Sequence, residues 1–344
     1  MDSRRIQGYS CGQTRTERKI QKITYGNEFF VEYVYDELDN VKEVCYNGVE
    51  AYEYSYTAYG QLYRFDNLID GTSTYTYDEN GFITNITLST GAEYRYLYDD
   101  LGQLLREDNT VTNKTYVYEY DDAGNITSKK TYALTAEGAT PSSLISSITY
   151  GYNDSLGWGD LLTSYRGVTI TYDEIGNPLS YYNGETYTFE WENGRQLAAV
   201  SSDDFEFEFV YNDEGIRTQK IANGAVHTYH LSGSQIISEE WGNHLLVYLY
   251  DSNGSPMGMQ YRRSSMAEDV FYTFWFEKNL QGDIVAVYNS AGTKVVSYAY
   301  DAWGNCIATN HNISGTNSYA NLNPFRYRGY YYDTETGFFV SHYS

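Results

Sequence analysis

Residues 94–104 read YRYLYDDLGQL, and variants of this pattern recur along most of the chain. Every second residue of YRYLY is a tyrosine, so in a β-strand the three rings lie on one face. Asp99 can accept hydrogen bonds from the backbone that follows it, and Gly102 can adopt the positive φ that a tight reversal needs. Leu104 then begins the return strand. The pattern therefore predicts a β-hairpin in which an Asp-x-x-Gly turn follows a tyrosine-lined strand.

The Tyr-Asp pair is an internal repeat. Successive copies between Tyr35 and Tyr120 are 21 or 22 residues apart, with Tyr56-Thr57 as a degenerate member. An aliphatic residue follows each turn, as at Leu62, Ile83, Leu104, Ile126, Leu179 and Leu197. The full pairs are Tyr35-Asp36, Tyr77-Asp78, Tyr98-Asp99, Tyr120-Asp121, Tyr172-Asp173, Tyr250-Asp251, Tyr300-Asp301 and Tyr332-Asp333.

These repeats predict an all-β fold of tandem hairpins with about 30 strands of ordinary length. Because twisted strands cannot build a flat sheet of that size, we expect a sheet wound into a solenoid or shell, or part of one. The segment 205–209, FEFEF, is predicted to turn its rings inward and its carboxylates outward. Ten tyrosines in phase with the turns are predicted to be buried or to line an interior: Tyr33, Tyr35, Tyr75, Tyr77, Tyr94, Tyr96, Tyr98, Tyr116, Tyr118 and Tyr120.

The amino-acid composition limits the partners and the kinds of site that this chain can have. The chain has 41 Tyr against 14 Phe and 5 Trp, and its formal net charge is −23. Such a charge repels phosphate backbones, so nucleic acids and anionic membranes are poor partners. Three widely spaced cysteines, Cys11, Cys45 and Cys306, indicate neither a disulfide framework nor a metal site. No apolar stretch is long enough to span a bilayer, and the N-terminus lacks the apolar run of a signal peptide.

Three segments interrupt the repeats and are expected to be longer loops: 133–147, 262–269 and 308–323. None is rich enough in Pro, Gly or Ser to separate independent domains. Residues 1–13 are basic and are expected to form a flexible N-terminus. Residues 14–278 are assigned to the repeat array.

The repeated unit resembles the YD-repeat proteins, which include the Rhs family of bacterial polymorphic toxins, the C component of insecticidal Tc toxins and the teneurins. The more specific likeness is at residues 323–337, NPFRYRGYYYDTETG, which is similar to the signature that opens the Rhs-associated core. Residues 279–283, NLQGD, and 300–305, YDAWGN, fit the same family. Residues 279–344 are therefore assigned to the start of this core.

The resemblance implies a shell that encloses a C-terminal toxin polypeptide, which several members release by cutting their own chain with acidic residues. Members continue after the position of Gly337 into a further motif and a toxin, whereas this chain stops seven residues later. We therefore expect a non-catalytic scaffold, a fragment or orphan of a longer secreted or surface-exposed parent. Its expected partners are a toxin polypeptide, further shell segments, or a second chain at open strand edges. The alternative is an extracellular or wall-associated β protein that binds carbohydrate or another surface, with its rows of tyrosines as the sugar-binding face.

No catalytic, cofactor-binding or metal-ligating residue is predicted. The acidic turns that pair Asp36 with Asp39, Asp99 with Asp100 or Asp121 with Asp122 lack the spacing of a calcium loop. His227 and His230 would point to opposite faces of a strand. Arg326 and Arg328 are expected to share a strand face and to clamp Asp333 or Glu335 by bidentate pairing. The residues predicted to carry the structural motif are Arg326, Arg328, Gly329, Tyr332, Asp333 and Gly337.

Overall fold

The structure is a computed structural model that describes residues 11–16, 19–25, 29–153, 159–311 and 319–340. The predicted all-β fold of tandem antiparallel hairpins is confirmed, with thirty strands among the described residues. The described helical structure consists of one short α-helix, α1 (Tyr319–Leu322), and a 3₁₀ turn at Tyr327–Gly329. Within these residues no helix is long and apolar enough to cross a membrane.

In each large sheet, strand order follows sequence order. The first sheet contains β1 (Cys11–Thr16), β2 (Lys19–Tyr25), β3 (Phe29–Tyr35), β4 (Val41–Tyr46), β5 (Val49–Tyr56), β6 (Leu62–Asn67), β7 (Gly71–Tyr77), β8 (Ile83–Leu88), β9 (Glu93–Tyr98), β10 (Leu104–Asn109), β11 (Lys114–Tyr120), β12 (Ile126–Ala133), β13 (Leu144–Tyr152), β14 (Leu162–Tyr165) and β15 (Val168–Thr169).

The second large sheet has thirteen strands, and a separate hairpin follows it. The thirteen are β16 (Ser180–Tyr182), β17 (Thr186–Glu192), β18 (Gln196–Ser201), β19 (Glu206–Tyr211), β20 (Arg217–Ala222), β21 (Ala225–Ser232), β22 (Gln235–Trp241), β23 (His244–Tyr250), β24 (Pro256–Arg263), β25 (Tyr272–Lys278), β26 (Ile284–Asn289), β27 (Lys294–Tyr300) and β28 (Cys306–Asn310). The hairpin pairs β29 (Tyr331–Asp333) with β30 (Phe338–Val340).

The described residues fall into two compact units. The smaller comprises those up to Tyr96 together with Leu249–Met257, and the larger comprises 97–248 and 258–340. The core of the smaller unit includes Val31, Phe65 and Tyr75. One cluster in the larger unit packs Tyr187, Phe189, Val200, Phe207, Phe209 and Ala222. The boundaries at residues 14 and 279 stay predictions, although residues 11–13 lie in β1 and 279–283 form an ordinary turn between β25 and β26.

The turns have the predicted construction. Asp121 accepts hydrogen bonds from the backbone N–H groups of Ala123 and Asn125 at 3.0 and 2.8 Å, and Gly124 has a φ of 87°. The Asn125 side chain also donates to the carboxylate, and these hydrogen bonds hold the pKa of Asp121 below its usual value. The same N–H contacts recur at Asp36, Asp78, Asp99, Asp173, Asn212, Asp251 and Asp301.

The tyrosine before the turn links successive repeats through its hydroxyl. Pairing between β5 and β6 shifts register beside Tyr56, which lies opposite Leu62. The Leu62 carbonyl then accepts a hydrogen bond of 2.6 Å from the hydroxyl of Tyr77, in the next repeat. Trp191 replaces the tyrosine once, and its indole N–H donates to the Pro178 carbonyl at 2.7 Å. Equivalent hydroxyl bonds are made by Tyr35, Tyr56, Tyr120, Tyr152, Tyr172, Tyr211 and Tyr300.

This bond gives the repeat tyrosine a role that phenylalanine cannot fill, because only the hydroxyl can donate to the carbonyl of the residue beside the register shift. The burial prediction is also confirmed: all ten tyrosines are buried or half-buried. In the segment 205–209, Phe207 and Phe209 are buried while Glu206 and Glu208 are exposed, as predicted.

The predicted loops are shorter than expected. Leu144–Ser147 belong to β13, the residues up to Arg263 belong to β24, and Ala308–Asn310 belong to β28. The sequence pattern missed these residues because they lack the tyrosine alternation, whereas backbone pairing with a neighbouring strand does not require it. Residues 312–318 lie outside the described residues.

Candidate functional site

The predicted motif lies in what we call the C-terminal segment, residues 319–340. The expectation that Arg326 and Arg328 share a strand face is wrong, because they flank the start of a 3₁₀ turn in which Arg328 has a φ of 51° and Gly329 a φ of 70°. Asp333 ends β29, and Gly337, with a φ of 74°, lies in the turn before β30. Local backbone reversal therefore sends the two arginines in different directions.

Arg326 is buried among aromatic rings. Its guanidinium lies 4.3 Å from the ring centroid of Tyr332 and 5.2 Å from that of Tyr298, and Nη1 is 4.0 Å from Sγ of Cys306. Arg328 instead covers the Tyr327 ring, and its backbone N–H donates to Oδ1 of Asp283 at 2.8 Å. These contacts hold the 3₁₀ turn against β27, β28 and the turn between β25 and β26.

The cations that pair with Asp333 come from β20. Arg217 Nη1 lies 3.1 Å from Asp333 Oδ2 and Lys220 Nζ lies 3.0 Å from Oδ1, with each of the three side chains at most 6% exposed. Burial alone raises the pKa of Asp333, but the charges and hydrogen bonds of the two cations outweigh it and hold that pKa below its usual value. Asp333 is therefore ionised at neutral pH, which makes it a poor proton donor.

Lys220 also binds Glu335, with Nζ 3.1 Å from Oε2. Burial lowers the pKa of Lys220, yet Asp333, Glu335 and Glu239 raise it above its usual value overall. The four residues Arg217, Lys220, Asp333 and Glu335 form what we call the β20 charge cluster. Two cations facing two carboxylates leave it nearly neutral, which a buried cluster requires.

Glu239, on β22, holds the same hairpin from another side. Its Oε2 accepts hydrogen bonds from the hydroxyls of Tyr248 at 2.6 Å and Tyr331 at 2.9 Å, while Oε1 lies 2.7 Å from Nδ1 of His227. The hydroxyls of Tyr229 and Tyr331 are 3.3 Å apart. The buried end of β29 is therefore held by hydrogen bonds as well as by ion pairs.

A cavity of about 240 Å³ borders the β20 charge cluster. Arg217 and Asp333 are among its polar lining residues, and Trp191, Phe209 and Phe338 are among its aromatic ones. Since the guanidinium of Arg217 lies 4.6 Å from the Phe209 ring centroid, the cation is enclosed by both charge and aromatic surface.

A second buried cluster lies in the same unit, between β10–β12 and the turn after β27. Lys129 forms an ion pair with Asp301, and both side chains are 4% exposed. Glu107 Oε2 accepts the backbone N–H of Ala302 at 2.9 Å, and Trp303 packs against Tyr118 with ring centroids 5.2 Å apart. Burial raises the pKa of Glu107 to about 7.

This second cluster also contacts the C-terminal segment. The Tyr327 hydroxyl donates to the Ala302 carbonyl at 2.7 Å. A Cβ at Gly304 would lie 2.7 Å from the Tyr327 ring, so the turn needs glycine for space as well as for its φ of 84°. The turn at 301–304 is thus held between the Glu107 cluster and the C-terminal segment.

The cations of the two buried clusters were missed by reasoning from sequence, although the sequence contains a signal that could have found the lysines. Two residues before the repeat tyrosine, each strand carries a further aromatic residue. In three repeats the residue opposite this second ring is apolar, namely Val44, Phe65 or Ile86. At the same position Lys129 lies opposite Tyr118, and Lys220 lies opposite Phe209. A lysine at an inward apolar position therefore marks both buried clusters.

The acidic turns and the two histidines considered from the sequence have the following contacts. The Asp36 carboxylate accepts hydrogen bonds from Leu38 and Asn40, so its oxygens serve the turn. His227 and His230 lie near different carboxylates, Glu239 and Glu240. Across the described ranges, no group of three or more His, Cys, Asp or Glu side chains is arranged to hold a metal ion.

Comparison with known proteins gives two kinds of similarity, and no protein-family model matches the chain. The tRNA3(Ser)-specific nuclease WapA of Bacillus spizizenii is 28% identical over 227 residues, which is 64% of this chain and 9% of that protein. The tRNA nuclease WapA of Bacillus subtilis is 28% identical over 229 residues, with the same coverage of both chains. The chain therefore spans about a tenth of the length of these relatives.

Solved structures share the fold at lower identity. The complex TcdB2-TccC3-Cdc42 matches 94% of this chain and 19% of that chain, with a TM-score of 0.59 and 16% identity. The Photorhabdus luminescens Tc holotoxin pore matches 97% of this chain and 19% of that chain, with a TM-score of 0.60 and 15% identity. The chain thus has the antiparallel hairpin fold found in Tc toxins and a sequence similar to part of WapA, which is consistent with the Rhs and YD-repeat resemblance of its motifs.

Proposed function

We propose that this chain is a non-catalytic segment of a YD-repeat shell of the Rhs toxin type. The observation that carries the proposal is the β20 charge cluster, in which Arg217 and Lys220 neutralise a buried Asp333. An ionised carboxylate held between two cations anchors the hairpin but lacks the proton that a general acid must donate. The C-terminal segment is then a docked structural element of the shell.

The partners proposed for such a shell are a toxin polypeptide and further shell segments. The likeness to structures that contain TccC3 together with TcdB2 supports the second partner, and the similarity to nucleases supports the first. The tRNA cleavage named for WapA is not proposed for this chain, because its net charge of −23 repels nucleic acid.

The test is chemical stability of the purified chain. We expect the intact mass to remain that of all 344 residues after days at neutral and mildly acidic pH with protease inhibitors present. Asp333→Asn is compared with Asp269→Asn, which changes an exposed aspartate. A discrete fragment in the wild type and in Asp269→Asn that disappears in Asp333→Asn would overturn the non-catalytic assignment.

The carbohydrate-binding alternative stays a prediction with less support. The hydroxyls that would bind sugars are used by the backbone, as in the bonds from Tyr56 to Val41 and from Tyr77 to Leu62. A glycan array with the purified chain tests it, and saturable binding to one glycan class would favour this function over the shell.

A further inference from the structure

The cavity beside the β20 charge cluster is large enough for a small molecule and connects solvent with the interior. Its volume is about 240 Å³, whereas an engineered protein cavity of about 150 Å³ already accommodates benzene. Among its lining residues Arg195 is exposed, while Val200 and Phe209 are buried. A ligand of about the size of a two-ring aromatic compound can therefore enter from the side of Arg195 and reach the buried end.

The aromatic side chains of the lining offer ring surface in place of polar atoms. The indole N–H of Trp191 already donates to the Pro178 carbonyl at 2.7 Å, and the Tyr211 hydroxyl donates to the Leu197 carbonyl at 2.9 Å. Phenylalanine side chains complete this part of the lining. Ligand sites are commonly built in this way, with mostly apolar walls and a few placed polar groups. These walls suit a ligand with a flat apolar ring.

Arg217 supplies the placed polar group. A guanidinium carries five N–H donors, and within the described part of the chain this one makes a single hydrogen bond, from Nη1 to Oδ2 of Asp333 at 3.1 Å. The Arg217 side chain is 6% exposed, yet Nε and Nη2 are not among the fully enclosed polar atoms of the described residues that lack a partner. Since Arg217 lines the cavity, its remaining N–H groups open into it.

The charges of the lining favour an anion over a cation. Arg195 and Arg217 are the lining cations and Asp333 is the lining anion, so the described lining carries one net positive charge. Both carboxylate oxygens of Asp333 are already bonded, Oδ2 to Arg217 and Oδ1 to Lys220. A bound cation would have to compete with these ion pairs, whereas a carboxylate meets donors that no described residue occupies.

We propose that this cavity is a binding site for small aromatic monocarboxylates. The ring lies against Trp191 and the phenylalanine side chains, and the carboxylate accepts hydrogen bonds from Arg217. The walls come from β17–β20 and from the C-terminal segment, so a bound ligand stabilises the packing of that segment on the sheet. The site does not rest on the shell function, because it requires only the cavity and its lining.

Calorimetric titration of the whole chain with indole-3-acetate tests the proposal. We expect saturable binding of one molecule per chain and a melting temperature that rises with ligand concentration. Indole-3-acetamide has the same shape without the charge and should bind about tenfold more weakly, because charge-assisted hydrogen bonds are about twice as strong as neutral ones. Tryptamine, the cationic analogue, should bind more weakly still.

Two variants locate the site. Arg195→Gln removes an exposed lining cation and should reduce the preference for the acid over the amide, while Leu197→Trp fills the cavity and should abolish binding. Arg166→Gln is the matched control, since Arg166 is an exposed arginine outside the lining, and it should bind like the wild type. Circular dichroism verifies that each variant is folded.

Three results would overturn the proposal. The first is absence of indole-3-acetate binding to the wild type up to about millimolar concentration. The second is equal affinity for the acid, the amide and the amine, since the arginine donors would then not select the ligand. The third is unchanged binding in both Arg195→Gln and Leu197→Trp, which would place the bound molecule elsewhere on the chain.

Discussion

The hairpin repeats and the C-terminal segment satisfy buried polar groups in different ways. In the repeats, the partner is one repeat away, as when Tyr77 donates to the Leu62 carbonyl. In the C-terminal segment, Asp333 meets Arg217 and Lys220 from a strand more than a hundred residues earlier. Repeats can therefore tolerate loss of a single bond, whereas the segment depends on a few charges that are costly when unpaired.

The largest effect is expected from breaking the β20 charge cluster. Arg217→Met leaves Asp333 with one cation fewer in a buried site, and we expect the free energy of unfolding to fall by about 3–5 kcal/mol. Urea denaturation followed by tryptophan fluorescence measures this change, because Trp191 borders the same cavity.

The matched control is Arg64→Met, which removes the same side chain from the pair with Asp66, where the Arg64 side chain is 49% exposed. Surface pairs contribute at most about 1 kcal/mol. Equal losses in the two variants would contradict the distinction between local and long-range pairing.

An intermediate effect is expected from pH at the Glu107 cluster. The pKa of Glu107 is about 7 in the folded chain because of burial, against about 4.3 when unfolded. Between these two pH values the folded chain keeps a proton on Glu107 that the unfolded chain has lost. The stability that this group contributes is therefore fully present below about pH 4.3 and is lost as pH rises through 7. Glu107→Gln should flatten the dependence of the melting temperature on pH between 5 and 8.

The control for that titration is Glu214→Gln, at an exposed turn position. This variant should show the same dependence of the melting temperature on pH as the wild type. A slope that survives in Glu107→Gln would assign the pH dependence of the melting temperature to other groups of the fold.

The smallest effect is expected from removing one of the hydrogen bonds by which a tyrosine hydroxyl links its repeat to the preceding one. Tyr77→Phe removes the donor to the Leu62 carbonyl and should lower the free energy of unfolding by about 1 kcal/mol. Tyr59→Phe changes a tyrosine that is 93% exposed and should have no effect. If Tyr77→Phe also left the free energy of unfolding unchanged, water would have to replace the hydroxyl as donor. The hydrogen bond to the preceding repeat would then not explain the choice of tyrosine.

Much of the repeat region could be predicted from sequence because its interactions are local. The spacing of Tyr98, Asp99 and Gly102 specifies strand, cap and reversal within five residues, and the same rules of alternation apply to every copy. The hydrogen bonds from the tyrosine hydroxyls were not predicted, since the donor and acceptor belong to adjacent repeats and the register shift beside the acceptor is visible only in the strand pairing.

In the C-terminal segment, local sequence patterns do not predict which residues pair. The sequence by itself determined the all-β class, the turns and the burial of the tyrosines, because period-two alternation and glycine conformations act over a few residues. It also marked Asp333 as part of a motif, but assigned it the wrong cations, Arg326 and Arg328. Only the tertiary structure decided that Arg217 and Lys220 neutralise this carboxylate, because the strength of an ion pair depends on distance and burial in space, and neither is set by separation along the chain.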